Sequence, residues 1–163
     1  MDLAIISDTH LPRGRRALPD ACVERLRSAD LILHAGDFVA IEVLRALEEL
    51  GPPVAGVWGN VDGVEVYEAL PETRVVEAGG ARIGMIHDAG PATGRLERMR
   101  ARFPDADAVV FGHSHIPLHE ATRDGFQIFN PGSPTDRRRQ PRHTMGVGRA
   151  ADGRVAFALV VVD

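Results

Sequence analysis

Five short hydrophobic runs in this chain each end in a residue able to bind a metal ion, and that recurrence restricts the fold more than any single motif. LAIIS leads to Asp8 and His10, LILHA to Gly36-Asp37, VAGVW to Gly59-Asn60, RIGMI to His87, and AVVF to Gly112-His113-Ser114-His115. Runs of Val, Ile and Leu without polar alternation read as strands buried on both faces, so the sheet they form must be covered by other layers. Open α/β sheets place their ligands at the carboxyl ends of strands. Residues far apart in the chain would then meet in one pocket of Asp, Asn and His.

The order of elements agrees with this. After the first strand, Pro12 to Pro19 reads as a loop and DACVERLRSAD as a short helix with Asp20 as its N-cap; Leu31 to Ala35 is a second strand. From Phe38 to Leu50 the apolar positions recur at helical spacing until Gly51-Pro52-Pro53 stops them. This β-α-β-α-β start predicts a parallel sheet with right-handed crossovers. The middle predicts a hairpin about Gly79-Gly80, a helix from Thr93 to Phe103, a strand from Ala106 to Phe111 and a second hairpin turning at Asp124-Gly125. A last hairpin pairs Thr144 to Arg149 with Val155 to Val162. Strands in excess of helices predict two packed, mixed sheets with helices outside. A chain of 163 residues with no repeat, linker or low-complexity tract is expected to be one domain over 1–163.

Composition excludes several classes. Apolar residues at 44% and charged residues at 26% are ordinary globular usage, far from disorder. No run approaches the roughly 18 apolar residues of a membrane span. The opening MDLAIISD lacks the basic start and long apolar core of a secretory signal, and Cys22 is the only cysteine. The expected location is therefore cytoplasmic and the expected partner is not a membrane. The net charge of -4 and 5% aromatic residues argue against nucleic acid. All 19 basic residues are Arg, which reads as base composition rather than function, yet Arg13, Arg15 and Arg16 follow the first candidate cluster and Arg137 to Arg139 the last conspicuous loop. If those loops face the pocket, Arg13 and Arg137 are the candidates to hold substrate phosphate, since a guanidinium offers a planar bidentate fork.

Asp8, His10, Asp37, Asn60, His87, His113 and His115 make seven candidate metal ligands. Imidazole mixed with carboxylate suits Mn, Fe, Ni, Co or Zn rather than Mg alone, and the absence of Cys ligands argues against a structural zinc knot. A carboxylate has two oxygens and can bridge two ions. Two cations about 3.5–4 Å apart can hold a phosphate, lower the pKa of a shared water and neutralise charge during displacement. Hydrolysis of a phosphate ester is the chemistry such a site supports best. His34, His119 and His143 have no supporting pattern. His34 is expected to pack behind Gly36-Asp37, and Asn130-Pro131-Gly132-Ser133 to support the loops structurally.

Taken in order, Asp8-x-His10, Gly36-Asp37, Gly59-Asn60, His87 and Gly112-His113-Ser114-His115 resemble the calcineurin-like metallophosphoesterase superfamily. The short length and Asn130-Pro131-Gly132-Ser133 are similar to its small YfcE-like phosphodiesterases. The resemblance implies a four-layer α/β/β/α sandwich and two divalent metals, manganese first. It implies that Asp8, His10, Asp37 and His115 hold one ion and Asp37, Asn60, His87 and His113 the other, with His10, Asp37 and Asn60 the residues on which catalysis would turn. Many superfamily phosphatases carry a proton-donating His directly after the Asn. Here that position is Val61, which leaves His10, Asp62 or a water as proton donor and favours esters with a good leaving group. His87 is followed by Asp88-Ala89-Gly90, a loop change relative to the family. The substrate expected is a small phosphate ester, most of all a diester; a homo-oligomer is allowed. The competing reading is a non-catalytic protein-binding scaffold of the same fold, as in the retromer subunit, and a nuclease ranks third.

Overall fold

A computed structural model describes residues 1–163. Ten strands and four helices follow in the order β1 (Asp2–Ile6), α1 (Asp20–Ser28), β2 (Leu31–His34), α2 (Ile41–Glu48), β3 (Val54–Gly56), α3 (Val64–Ala69), β4 (Thr73–Ala78), β5 (Ala81–Ile86), α4 (Arg95–Arg102), β6 (Ala108–Val110), β7 (Leu118–Ala121), β8 (Gln127–Asn130), β9 (Thr144–Ala151) and β10 (Arg154–Val161). They form two mixed sheets, ordered β10-β9-β1-β2-β3 and β4-β5-β6-β8-β7. In the first, β1, β2 and β3 run parallel and the β9–β10 hairpin closes antiparallel on β1. In the second, β5, β6 and β8 are parallel, with β4 and β7 antiparallel on the two edges.

Three apolar clusters account for the absence of polar alternation in the strands. Leu3, Ile5 and Leu33 of the first sheet meet Ile83, Met85, Val110 and Phe129 of the second in the layer between them. The alternate residues Ala4, Ile6 and Ile32 face outward and pack under Leu26 of α1, Leu44 and Leu47 of α2 and Val66 of α3. On the other side Val109 and Ile128 pack under Met99 of α4 and Phe103 just after it. Strands β1, β2 and β6 are therefore dry on both faces, and the layers run helix, sheet, sheet, helix, as the family resemblance implied.

Several boundaries differ from the sequence reading. Helix α1 begins at Asp20 itself after Pro19, and the Asp20 side chain makes no capping hydrogen bond. Helix α2 starts at Ile41 rather than Phe38, because Val39 is in the left-handed region at φ 85° while Phe38 is fully buried in the core. Helix α4 starts at Arg95 rather than Thr93, since Gly94 is left-handed. Helix α3 has no counterpart in the reading; it is six residues long and buries only Val66, too weak a pattern to read. Trp58 is only partly buried and meets Tyr67 edge-on, whereas Phe111 is buried.

Cys22 sits on α1 facing the sheet and is fully enclosed. Burial pushes its thiol up to about 12, although Arg25 pulls in the opposite direction. A thiolate is the reactive species, so native protein at pH 8 is expected to be inert to a thiol-disulfide reagent such as Ellman's and to release one equivalent per chain only in denaturant. Fast reaction of the native chain would show that α1 is not seated on the sheet.

Candidate functional site

The strands deliver their terminal residues to one rim. Asp8 and His10 follow β1, Asp37 follows β2 and Asn60 follows β3 in the first sheet, while His87 follows β5 and His113 and His115 follow β6 in the second. Loop-to-loop hydrogen bonds then bind the strand ends together: Asp8 N donates to Gly36 O (2.9 Å), His10 N to Asp37 O (3.0 Å), and Gly112 N to His87 O (2.9 Å). The backbone of His113 donates to Asp8 Oδ2 (3.0 Å), which joins the two sheets through a candidate ligand.

All seven sequence-predicted donors converge. Asp8, His10 and His115 form one group and Asp8, Asp37 and His87 a second, with the donor atoms of each group within 4.8 Å of one another. Asp37 Oδ2 lies 3.4 Å from His10 Nε2 and 3.3 Å from His87 Nε2, so this one oxygen stands between the two groups. Asp8 Oδ1 lies 3.4 Å from His115 Nε2 and 3.9 Å from His10 Nε2. Asn60 Oδ1 completes the far side at 3.1 Å from His87 Nε2 and 2.9 Å from His113 Nδ1.

The ring tautomers follow from the partners. His87 Nδ1 is 2.7 Å from Ala35 O, and His115 Nδ1 meets Asp136 O. A carbonyl can only accept, so each Nδ1 carries the proton and each neutral ring turns its Nε2 lone pair into the site. His10 Nε2 and His115 Nε2 stand 3.2 Å apart, two imidazoles aimed at one spot. Asp8 Oδ1 is buried and has no hydrogen-bond partner. A buried carboxylate oxygen left bare costs several kcal/mol unless a cation answers it, so the donor set fits divalent metal ions.

The electrostatics agree. Burial would raise the Asp37 carboxyl, but the contact and charge of His87, the Val61 N–H and His10 outweigh it and hold the group below the usual carboxylate range. Burial would lower His87, but Asp37 and Asp8 outweigh it and hold the ring above its ordinary value. His115 is held below its ordinary value, first by burial, with Arg138 and His10 adding to it.

Local backbone geometry is unusual where the donors sit. Asp8, His10, Asp37, His113 and His115 all have positive φ, between 46° and 68°. Each such residue costs on the order of 1–3 kcal/mol and persists only where its surroundings impose it. Two glycines allow the loops to close. A Cβ on Gly112 would lie 1.9 Å from Ser7 Oγ, and one on Gly59 would lie 2.2 Å from Asp37 Oδ1.

Several supporting residues went unread or half-read in the sequence. His34 is expected to pack behind the site, and it does so as a clip: Gly36 N donates to its Nδ1 (3.2 Å), its Nε2 meets Thr9 Oγ1 (3.0 Å), and its ring stacks on Phe38. Burial first, then the neighbouring His87, lowers it to about 3, so it stays neutral. Asp62, which the sequence leaves as a candidate proton donor, is bound instead by backbone N–H groups. Its Oδ1 accepts from Val39 N (2.6 Å), and its Oδ2 from Gly59 N (2.7 Å) and Asp37 N (3.1 Å), so both oxygens are engaged as acceptors. Asp62 thereby ties the Asp37 loop to the Asn60 loop. Ser133 Oγ donates to Asp8 O (2.8 Å) and Asn130 Nδ2 to Gly112 O (2.9 Å), the structural support expected of that segment. Asp136 acts on His115 through its carbonyl, a role open to any residue and therefore invisible in sequence.

The Arg candidates fare differently. Arg13 is exposed in the loop after β1. Arg137 turns back on its own loop and donates to Gln140 O (2.6 Å). His119 and His143 lie outside the site, paired with Gln127 and Asp163.

Comparison with known proteins follows the same lines. The model of the calcineurin-like phosphoesterase superfamily domain matches residues 1–153. A probable metallophosphoesterase of Methanothermobacter thermautotrophicus is 36% identical over 140 residues, 83% of this chain and 78% of that one. A protein of Methanocaldococcus jannaschii named as a phosphodiesterase is 28% identical over 145 residues, 81% of this chain and 83% of that one. Among solved structures, vacuolar protein sorting 29 of Cryptosporidium parvum superposes with a TM-score of 0.79 over 98% of this chain and 96% of that one, at 23% identity.

Removing the Asp62 carboxylate would strand three backbone N–H groups, two of them buried. Asp62→Ala is expected to destabilise the protein by roughly 2–4 kcal/mol, read from urea unfolding in EDTA so that bound metal does not contribute. A loss under about 0.5 kcal/mol, the range of an ordinary surface change, would mean that the loops hold their places without it.

Proposed function

The chain belongs to the calcineurin-like phosphoesterase superfamily, and from that premise we propose that it is a phosphodiesterase using two divalent cations, with manganese the first choice among Mn, Fe, Ni, Co and Zn. Asp8, His10, Asp37 and His115 would hold one ion and Asp37, Asn60, His87 and His113 the other. The observation that carries the reading is the bare, buried Asp8 Oδ1 facing the His115 ring, whose Nε2 lone pair is turned toward it. When bound, such ions supply a polarised phosphate and a water of lowered pKa.

The chain's own part is to hold charge and orientation. Asp37, kept ionised, offers one oxygen to both groups while its Oδ1 accepts the Val61 N–H (3.1 Å). Ala35 O and Asp136 O fix the rings of His87 and His115. Neither Ser7 nor Cys22 is placed as a nucleophile: Ser7 is wedged against Gly112, and Cys22 faces the sheet from α1. With Val61 after Asn60 and both Asp62 oxygens engaged, His10 is the side chain left to handle a proton at the leaving group. An ester that leaves easily is therefore the better substrate. The reading extends to a single domain over residues 1–163 acting on a small phosphate ester in the cytoplasm; no helix is long and apolar enough to cross a membrane.

The competing reading is a protein-binding scaffold, favoured by the likeness to vacuolar protein sorting 29, which at 23% identity speaks for the fold alone. A complete donor set argues for hydrolysis. Metal-stripped protein is to be assayed on bis-p-nitrophenyl phosphate and p-nitrophenyl phosphate with Mn, Ni, Mg or EDTA. Manganese-dependent turnover, faster on the diester and absent in EDTA, is expected. Absence of turnover together with no metal retained through purification would favour the scaffold. Asp37→Asn is expected to lower kcat by more than the ~10–100-fold typical of losing an outer-shell partner while the apo protein keeps its fold by circular dichroism; near-normal kcat would contradict the shared role of Asp37.

A further inference from the structure

We propose that the preferred substrate carries a second phosphate on the half of the ester that is not attacked, received by an arginine rim at the His10–His115 end of the site; this rests on the hydrolytic reading above. Two loops build the rim, the one after β1 with Arg13, Arg15 and Arg16 and the one after β8 with Arg137, Arg138 and Arg139. They are joined to each other and to the site. Arg16 Nη1 lies 3.1 Å from Asp136 Oδ2, Asp136 O accepts the His115 Nδ1–H hydrogen bond, and Thr135 Oγ1 donates to Thr9 O (2.6 Å). Asp136 N donates to the same Ser133 Oγ that binds Asp8 O. The arginines are thus mounted on the backbone that positions Asp8 and His115, not on free loops. Arg138 is two residues from Asp136, at most about 7 Å of backbone.

Position rather than pairing separates these side chains from other arginines, since most arginines of the chain have no carboxylate partner. Arg100, Arg142 and Arg149 are matched with Asp124, Asp163 and Asp2. Within the rim Asp136 is the only acid, and it is taken by Arg16. Arg13, Arg15, Arg138 and Arg139 are exposed and have no carboxylate within 4.0 Å. The opposite side of the mouth differs, for Asp88 lies 4.0 Å from His113 and Val61 is exposed. Several unpaired guanidinium groups beside a site that takes one phosphate, in a chain of net charge -4, suit a second phosphate better than an apolar or cationic group.

The test compares thymidine 5′-(p-nitrophenyl phosphate) with the same ester bearing a 3′-phosphate, in manganese-loaded protein. The 3′-phosphorylated ester should show roughly tenfold higher kcat/KM, about the gain from one added charge-assisted hydrogen bond, carried mainly by KM and shrinking with salt. In Arg13→Ala/Arg15→Ala and Arg138→Ala/Arg139→Ala the ratio between the two esters should fall toward one. Equal kcat/KM for both esters in the unaltered protein, or a ratio that survives both variants, would overturn the proposal. Should neither ester turn over, calorimetry with thymidine 3′,5′-bisphosphate and thymidine 5′-monophosphate decides. Tighter, arginine-dependent binding of the bisphosphate would keep the anion site while the hydrolytic reading fails, and equal affinities would reject the site itself.

Discussion

Two carboxylates, Asp8 and Asp37, are held out of water at the seam of two sheets, at 0% and 2% exposure. Ionised groups there are tolerable only if positive charge or donated protons answer every oxygen. Asp37 accepts the Val61 N–H on Oδ1, while its Oδ2 meets Nε2 of His10 and His87 and no backbone donor. Asp8 is answered on Oδ2 by His113 N–H and left bare on Oδ1. Buried carboxylate oxygens that meet imidazole lone pairs, Asp8 Oδ1 above all, are the reason to read the cluster as a cage for cations and not as a self-contained ion-pair network. The left-handed donors, the glycines without room for a Cβ and the backbone-bound Asp62 all serve to bring these anions and four imidazoles together.

The fold supplies this meeting point by division of labour. The first sheet brings Asp8, His10, Asp37 and Asn60 and the second His87, His113 and His115, so neither sheet has a complete set. The apolar layer shared by Leu3, Ile5, Ile83, Met85 and Phe129 is therefore a condition of the site as well as of stability. His34 and Asp62 work within the first sheet, clipping the Asp8–His10 loop to the Asp37 loop and the Asp37 loop to the Asn60 loop. The His113 N–H to Asp8 bond and the Asn130 and Ser133 side chains hold the second sheet's loops in place.

Much of this was legible in the sequence because burial on both faces leaves an unmistakable mark, an apolar run followed at once by a donor. LAIIS before Asp8 and AVVF before Gly112-His113 are such marks, and all seven donors do converge. What remained hidden follows different physics. Positive φ at Val39 ends what reads as helix from Phe38, and no propensity rule assigns a β-branched residue that conformation. Helix α3 buries one side chain and leaves no periodic trace. Asp62 looks like a free acid two residues from Asn60, but three backbone donors claim it, and backbone donors carry no sequence signal. For the same reason the Asp136 carbonyl that orients His115 could not be read, and Arg137 could not be seen to turn onto Gln140.

The proposed centre is tested most directly by locating the ions themselves. Crystals of manganese-loaded protein, with diffraction recorded on either side of the manganese absorption edge, should give two anomalous peaks about 3.5–4 Å apart, one on each side of Asp37 and together within reach of all seven donors. A single peak, no peak, or peaks away from Asp8 and Asp37 would contradict it.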